Sequence, residues 1–232
     1  MRSKGVNLNQ AMKLICFDFD GTIIRGSSWE VMIRLAGMEE EVRPLIEDYW
    51  RKFQKGEEVW DCRVVRQVAR KFKGIRVHEA LEAVRAMGLS PGVEETVQEF
   101  RLRNYAMVII SDGYSFAVDP FYDELRFDLR FANELEIENG SFTGGIRAPY
   151  YQGDVSRKGC LHHCLCKRRV LELLRKRLKV AQEDVVAIGD SLSDLCLVQE
   201  AGLGVAFNAR KELERVADRV IRGDLREIFE YL

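Results

Sequence analysis

Asp18 and Asp20 stand two residues apart at the tail of the apolar run MKLICFDF (residues 12–19), inside the segment FDFDGTI. Two carboxylates at the end of a buried strand are expensive to desolvate unless something uses them. Other apolar runs end in the same way. YAMVIIS (105–111) ends in Ser111, followed by Asp112 and Gly113, and DVVAIGD (184–190) ends in Asp190, with Ser193 and Asp194 just beyond. Lys158, in SRKG, precedes an apolar helical pattern. Alone, each has an ordinary reading: a strand-end turn for D-x-D, a helix N-cap for Ser111, a surface lysine for Lys158, a helix start for Asp194. Their convergence at strand ends is more informative than any single member.

Four short apolar tracts, at 12–19, 105–111, 184–190 and 203–207, read as buried strands, each stopped by polar or glycine residues. Helical patterns separate them, at 91–102, at 159–178 and around Val198 and Ala201. The alternation predicts an α/β fold with a parallel sheet covered on both faces. Ligands bind such sheets at the carboxyl ends of the strands, where Asp18 and Asp20 fall. The roughly 80 residues between the first two strands exceed what one crossover needs. They contain helical patterns at 27–37, 40–54 and 59–72, punctuated by Gly37, Gly56 and Gly74. A small helical cap inserted at 26–87 is expected, with 1–25 and 88–232 as the main domain. Asn139-Gly140 predicts a tight hairpin in FANELEIENGSFTGGI (131–146), a side feature with no chemistry implied.

Lys and Arg total 36 against 37 Asp and Glu, a formal net charge of −1. Nothing global pulls the chain toward nucleic acid or an anionic membrane, and the basic stretch CKRRVLELLRKRLK (166–179) reads as a solvated helix face. The start of the sequence lacks the apolar stretch of a secretory signal, and no run reaches the ~18 apolar residues of a membrane span. A cytoplasmic protein with reduced thiols is expected from Cys16, Cys62, Cys160, Cys164, Cys166 and Cys196. CLHHCLC (160–166) has residue types that suit zinc, but on a helix only Cys160, His163 and Cys164 share a face. Buried cysteines and partly exposed histidines are the preferred reading.

The motifs DFDGT, VIISDG, SRKG and GDSLSD, in that order, resemble the haloacid-dehalogenase superfamily, in its phosphoserine-phosphatase-like branch with a helical cap. LAGMEEEV, FANELEIENGSFTG and GDLREIFEYL extend the likeness over nearly the whole chain after about residue 11. The resemblance implies a Rossmann-like parallel sheet with that cap and Mg²⁺-dependent hydrolysis of a small phosphorylated metabolite. Asp18 would be the nucleophile that becomes an aspartyl-phosphate, and Asp20 the general acid and base. Asp18, Asp190, Asp194 and the backbone carbonyl of Asp20 would hold Mg²⁺, Asp194 through water or by orienting its neighbours. Ser111, Asp112, Gly113, Lys158 and Ser193 would surround the phosphoryl group.

The pattern departs from that branch on the substrate side. Ser27 stands where a cap glutamate usually meets the substrate ammonium, with Glu30 one turn onward as a substitute. Arg63, Arg66 and Gln67 are candidates for the substrate carboxylate, and Trp29 either lines the pocket or packs the cap. Asp112 replaces a glycine. These changes leave the phosphatase chemistry intact and loosen the link to phosphoserine. A phosphatase for another metabolite, such as a methylthio-sugar phosphate, is the alternative within the branch. A catalytically inactive phospho-ligand-binding protein is the alternative outside it. Monomer and homodimer are both compatible with the sequence.

Overall fold

A computed structural model of the chain describes residues 13–57, 61–150 and 161–232. In chain order its main elements begin with β1 (Leu14–Phe17), α1 (Ser28–Leu35), α2 (Glu39–Gln54), α3 (Asp61–Ala69), α4 (Val77–Arg85) and α5 (Val93–Leu102). There follow β2 (Ala106–Tyr114), α6 (Ser115–Glu124), β3 (Leu129–Glu138), β4 (Ser141–Arg147) and α7 (Lys167–Leu178). β5 (Val185–Gly189), α8 (Leu195–Gln199), β6 (Leu203–Phe207), α9 (Lys211–Glu214) and β7 (Arg219–Ile221) complete the order. The strands form one sheet in the order β4-β3-β2-β1-β5-β6-β7, parallel except for the antiparallel β3–β4 pair.

The alternation of side chains along a strand divides the central residues between two cores. Ile15, Phe17, Met107, Ile109, Val186 and Ile188 face one way, against apolar residues of α5 and α6. Leu14, Cys16, Val108, Ile110, Val185 and Ala187 face the other, against Val170, Leu171, Leu174 and Leu178 of α7. Both faces of the central strands are dry, which is why these strands read as continuous apolar runs rather than alternating ones.

The expected strands, the Asn139-Gly140 turn and the helices between β1 and β2 are present. Asn139 and Gly140 both have positive φ, at 49° and 73°, as a two-residue hairpin turn requires. Two expectations need correction. The helix expected over 159–178 begins at Lys167, and residues 161–166 are not helical. His162 takes φ 49°, which interrupts helical geometry, and the Leu165 amide donates to the Asp112 carboxylate at 2.6 Å instead of to a helical carbonyl. The one-face register considered for Cys160, His163 and Cys164 therefore does not apply, and Cys160 lies outside the described residues.

The second correction concerns the thiols. Cys62, in the first turn of α3, forms a disulfide with Cys164, 102 residues away. The expectation of reduced cysteines fails for this pair, because folding brings two residues with no local relation within bonding distance. Cys16 and Cys166 are free thiols. Backbone bonds from Asp61 to Leu161 and from Cys62 to His162 flank the bridge. The β3–β4 hairpin also anchors the inserted helices. Gly74 donates to Phe142, Phe142 to Ile75, and Val77 to Gly140. Phe142 and Leu135 share a buried cluster with Met32, Val68 and Phe72. The hairpin is thus a dock for the insertion rather than a side feature.

Closing a loop of this length restricts the unfolded chain strongly, by about 4.7 kcal/mol in the chain-entropy view. Reduction, or the double substitution Cys62→Ser with Cys164→Ser, is expected to lower unfolding stability by about 2–4 kcal/mol. Denaturant unfolding with and without a phosphine reductant checks this, and the double variant should no longer respond to the reductant.

Candidate active site

The carboxyl ends of β1, β2 and β5 meet at one edge of the sheet. The Asp18 amide extends the β1–β5 ladder by donating to the Ile188 carbonyl at 2.9 Å, so its side chain leaves the strand in a fixed direction. Asp190 follows β5 directly. Pairing of β2 with β3 is irregular between Ile110 and Tyr114, which releases Ser111, Asp112 and Gly113 from a regular ladder. Around this edge lies a cleft of about 440 Å³ lined by Asp18, Asp20, Ser111, Gly113, Asp190 and Ser193, among others.

Lys167 holds the base of the cleft together. Its ammonium, almost fully buried, lies 2.5 Å from both Asp18 Oδ1 and Asp194 Oδ1. A buried cation is tolerable only with such partners. Asp194 is fixed further by the amides of Asp190 and Ser191, which donate to its Oδ2 at 3.2 and 3.1 Å. Burial and then the Asp194 charge push the Asp18 carboxyl well above the usual range, with Lys167 pulling the other way. Burial and Asp194 likewise push Asp190 up to about 7.

Lys158, the lysine expected beside Asp18, lies outside the described residues. Lys167, the lysine found there, was not anticipated. A signal for it existed: the buried positions Val170, Leu171, Leu174 and Leu178 recur at helical spacing only from Lys167 onward, which puts that lysine in the first turn of α7.

Asp20 is held by Ser28, another residue that motif spacing alone did not single out. The Ser28 amide donates to Asp20 Oδ1 at 2.7 Å and its hydroxyl to Oδ2 at 2.9 Å. Burial raises the Asp20 carboxyl to about 6, opposed chiefly by these two bonds. Ser27 is the N-cap of α1, accepting from the Glu30 amide at 3.3 Å. Two glycines make room for the carboxylates. A Cβ on Gly21, which has φ 73°, would lie 2.1 Å from Asp190 Oδ2, and one on Gly113 would lie 2.9 Å from Asp20 Oδ2. The Gly113 amide donates to Ser111 Oγ at 2.9 Å.

Asp112 lines the cleft but turns its carboxylate elsewhere. Its Oδ1 accepts from the Leu165 amide and the Asn133 side chain, and its Oδ2 lies 3.3 Å from His163 Nδ1. His163 Nδ1 is also 2.8 Å from Asp61 Oδ2. Burial opposes a charge on this imidazole, but Asp61 and Asp112 together hold its pKa well above 6.5. Trp29 lines the cleft and packs against the insertion's buried cluster, so it does both things considered for it. Glu30 is exposed at the edge of the cleft. Arg63, Arg66 and Gln67 are exposed on α3 and do not line the cleft; Asp61, Val64 and Val65 do.

Carboxylate oxygens of Asp18, Asp190 and Asp194 approach within 4.8 Å of one another, a hard-oxygen set suited to Mg²⁺. Because Asp194 is engaged by Lys167 and two amides, Asp18 and Asp190 are the better direct ligands.

The family model for haloacid dehalogenase-like hydrolases matches residues 15–199, which include Asp18, Asp20, Ser111, Lys167, Asp190 and Asp194. The chain belongs to that family. Phosphoserine phosphatase of Methanocaldococcus jannaschii is 30% identical over 226 residues, covering 97% of this chain and all of that protein. Phosphoserine phosphatase of Archaeoglobus fulgidus is 34% identical over 211 residues, covering 90% of this chain, which spans only 56% of that longer protein. A phosphoserine phosphatase solved as a phospho-aspartyl intermediate analogue superimposes with a TM-score of 0.76 at 30% identity, over 96% of this chain and all of that one. Among the described residues no helix is long and apolar enough to cross a membrane.

Two measurements check this geometry. Lys167→Ala, shown to be folded by circular dichroism, is expected to lose at least about a hundredfold in turnover, as for removal of a strong electrostatic contact to the reacting group. It should lose more than Lys158→Ala does. The His163 imidazole C2 proton, followed by NMR, should titrate with a midpoint well above 6.5.

Proposed function

We propose that the protein is a Mg²⁺-dependent phosphomonoesterase for a small metabolite, working like a phosphoserine phosphatase through an aspartyl-phosphate on Asp18. The observation that carries the reading is the joint placement of Asp18 and Asp20. One carboxylate is set on a buried lysine at the end of β1, and the other is held in place by Ser28 while burial raises its pKa to about 6. In this reading residues 26–87 form the cap and 1–25 with 88–232 the catalytic core.

An Asp18 oxygen attacks phosphorus as the bond from phosphorus to the alcohol oxygen breaks. Asp20, protonated, gives its proton to that departing oxygen. A pKa near 6 leaves enough of the acid at neutral pH to do so, and the resulting carboxylate can then act as the base. Asp20 takes a proton from water while the water oxygen attacks phosphorus, which releases phosphate and restores Asp18. Lys167 keeps Asp18 oriented and offsets the charge that gathers at the phosphoryl group. Ser111 and Ser193, which both line the cleft, would contact phosphoryl oxygens through their hydroxyls. Asp18 and Asp190 would hold Mg²⁺, whose charge would offset the repulsion of a phosphate dianion by the carboxylates. Asp112 is better suited to holding the loop before α7 than to contacting phosphate, since its carboxylate already serves Leu165, Asn133 and His163.

Phosphate release from a panel of metabolite esters tests the reading. Turnover is expected with Mg²⁺ and should vanish with EDTA. Asp18→Asn should abolish it, and Asp20→Asn should lower it by about a hundredfold to ten-thousandfold, the usual range for a lost general acid. Wild-type turnover in a folded Asp18→Asn protein would sink the proposal.

A further inference from the structure

The cleft is acidic. Asp18, Asp20, Glu30, Asp61, Asp112 and Asp190 all line it, and among the described lining residues Arg210 is the one arginine or lysine. Lys167 is buried and committed to Asp18 and Asp194. His163 is shared between Asp61 and Asp112. Arg63 and Arg66, the cations that α3 carries, are exposed outside the lining. An anionic group on a leaving alcohol needs a partner when water is displaced. The uncommitted side-chain cation of the cleft is Arg210, which comes from the loop after β6 rather than from the inserted helices.

Arg210 is placed by both of its ends. Its amide donates to the Asp190 carbonyl at 3.0 Å, which fixes its backbone to the turn after β5. Its guanidinium lies over the Trp50 ring, 4.8 Å from the centroid, and Trp50 also lines the cleft. The side chain thus runs from the Asp190 turn, at the reacting end, to the aromatic wall where Tyr49 adjoins Trp50. Among the described residues its guanidinium has no carboxylate partner. Contact with a ring restricts a long side chain, and it leaves N–H donors of the planar fork for a carboxylate.

We propose that the cleft selects a phosphomonoester whose leaving alcohol bears a carboxylate, and that Arg210 donates charge-assisted hydrogen bonds to that carboxylate beside Trp50. The inference rests on the phosphomonoesterase reading above. Arg210 is here a specificity residue that touches the leaving group and not the phosphoryl group. The alcohol departs with the proton from Asp20 as already described.

The test compares kcat/KM within two pairs of esters that differ in a carboxylate: 3-phosphoglycerate with glycerol 3-phosphate, and O-phosphoserine with O-phosphoethanolamine. Acetyl phosphate, a small substrate outside both pairs, reports the core chemistry. In the wild-type protein the carboxylated member of each pair should lead by about tenfold or more, the scale of a hydrogen bond to a charged group. Arg210→Gln should cut that ratio about tenfold in both pairs. Arg210→Lys, which keeps the charge and loses the fork, should keep more of the ratio than Arg210→Gln does. Arg210 is exposed and its backbone bond to Asp190 does not involve the side chain, so folding is not at stake. Equal rates within both pairs, with acetyl phosphate turned over, would overturn the inference and leave the phosphatase reading standing. So would a ratio that Arg210→Gln leaves intact, whether by no loss or by an equal loss on both members, the latter placing Arg210 on the phosphoryl group. Failure to release phosphate from any of the five, acetyl phosphate included, would overturn both.

Discussion

A buried ammonium between two carboxylates governs this molecule. Lys167 cannot be dry without Asp18 and Asp194, and neither carboxylate can be ionised so far from water without the lysine. The three groups come from the end of β1, the start of α7 and the turn after β5. Their mutual dependence therefore ties the carboxyl edge of the sheet to the helix that covers one face. The amides of Asp190 and Ser191 hold the other oxygen of Asp194, so the constraint reaches Asp190 as well. A nucleophile needs this sort of fixed direction, because a carboxylate attacks weakly and gains most from positioning.

The same economy operates between the sheet and the inserted helices. Three kinds of contact join them: the Cys62–Cys164 bridge, the backbone bonds of Gly74, Ile75 and Val77 to the β3–β4 hairpin, and the Asp61–His163 pair. Arg210, after β6, adds a fourth by lying over Trp50. The insertion also reaches the reaction directly, since Ser28 at the start of α1 holds both oxygens of Asp20. The residue that holds Asp20 is thus carried by an insertion that these same contacts anchor to the sheet.

The reaction end of the site was legible in the sequence because each part of it is a local event. An apolar run of strand length ending in Asp18, Asp20, Ser111 or Asp190 places those residues at the sheet edge once the alternation of strands and helices is granted. Asn139-Gly140 dictated its turn for a similar reason: the required positive φ is available to those two residue types. Lys167 was the limiting case. The apolar period of α7 carried its position, but a stretch with seven basic residues between Lys167 and Lys179 and another lysine upstream gave no local reason to choose it.

By itself the sequence determined the α/β alternation, the insertion after the first strand and the order of the chemical motifs, since these follow from short-range periodicity and residue type. Only the tertiary structure decided which lysine meets Asp18, that Cys62 and Cys164 bond, and that Asp61 and Asp112 both pair with His163. Each depends on segments far apart in the chain arriving at the same place, as the 102-residue separation of the disulfide illustrates. Burial then sets their chemistry: a lysine, an aspartate or a histidine that would be ordinary in water becomes an ion that must be matched. Residue type names what a side chain can do, and the packing around it selects which of those things it does.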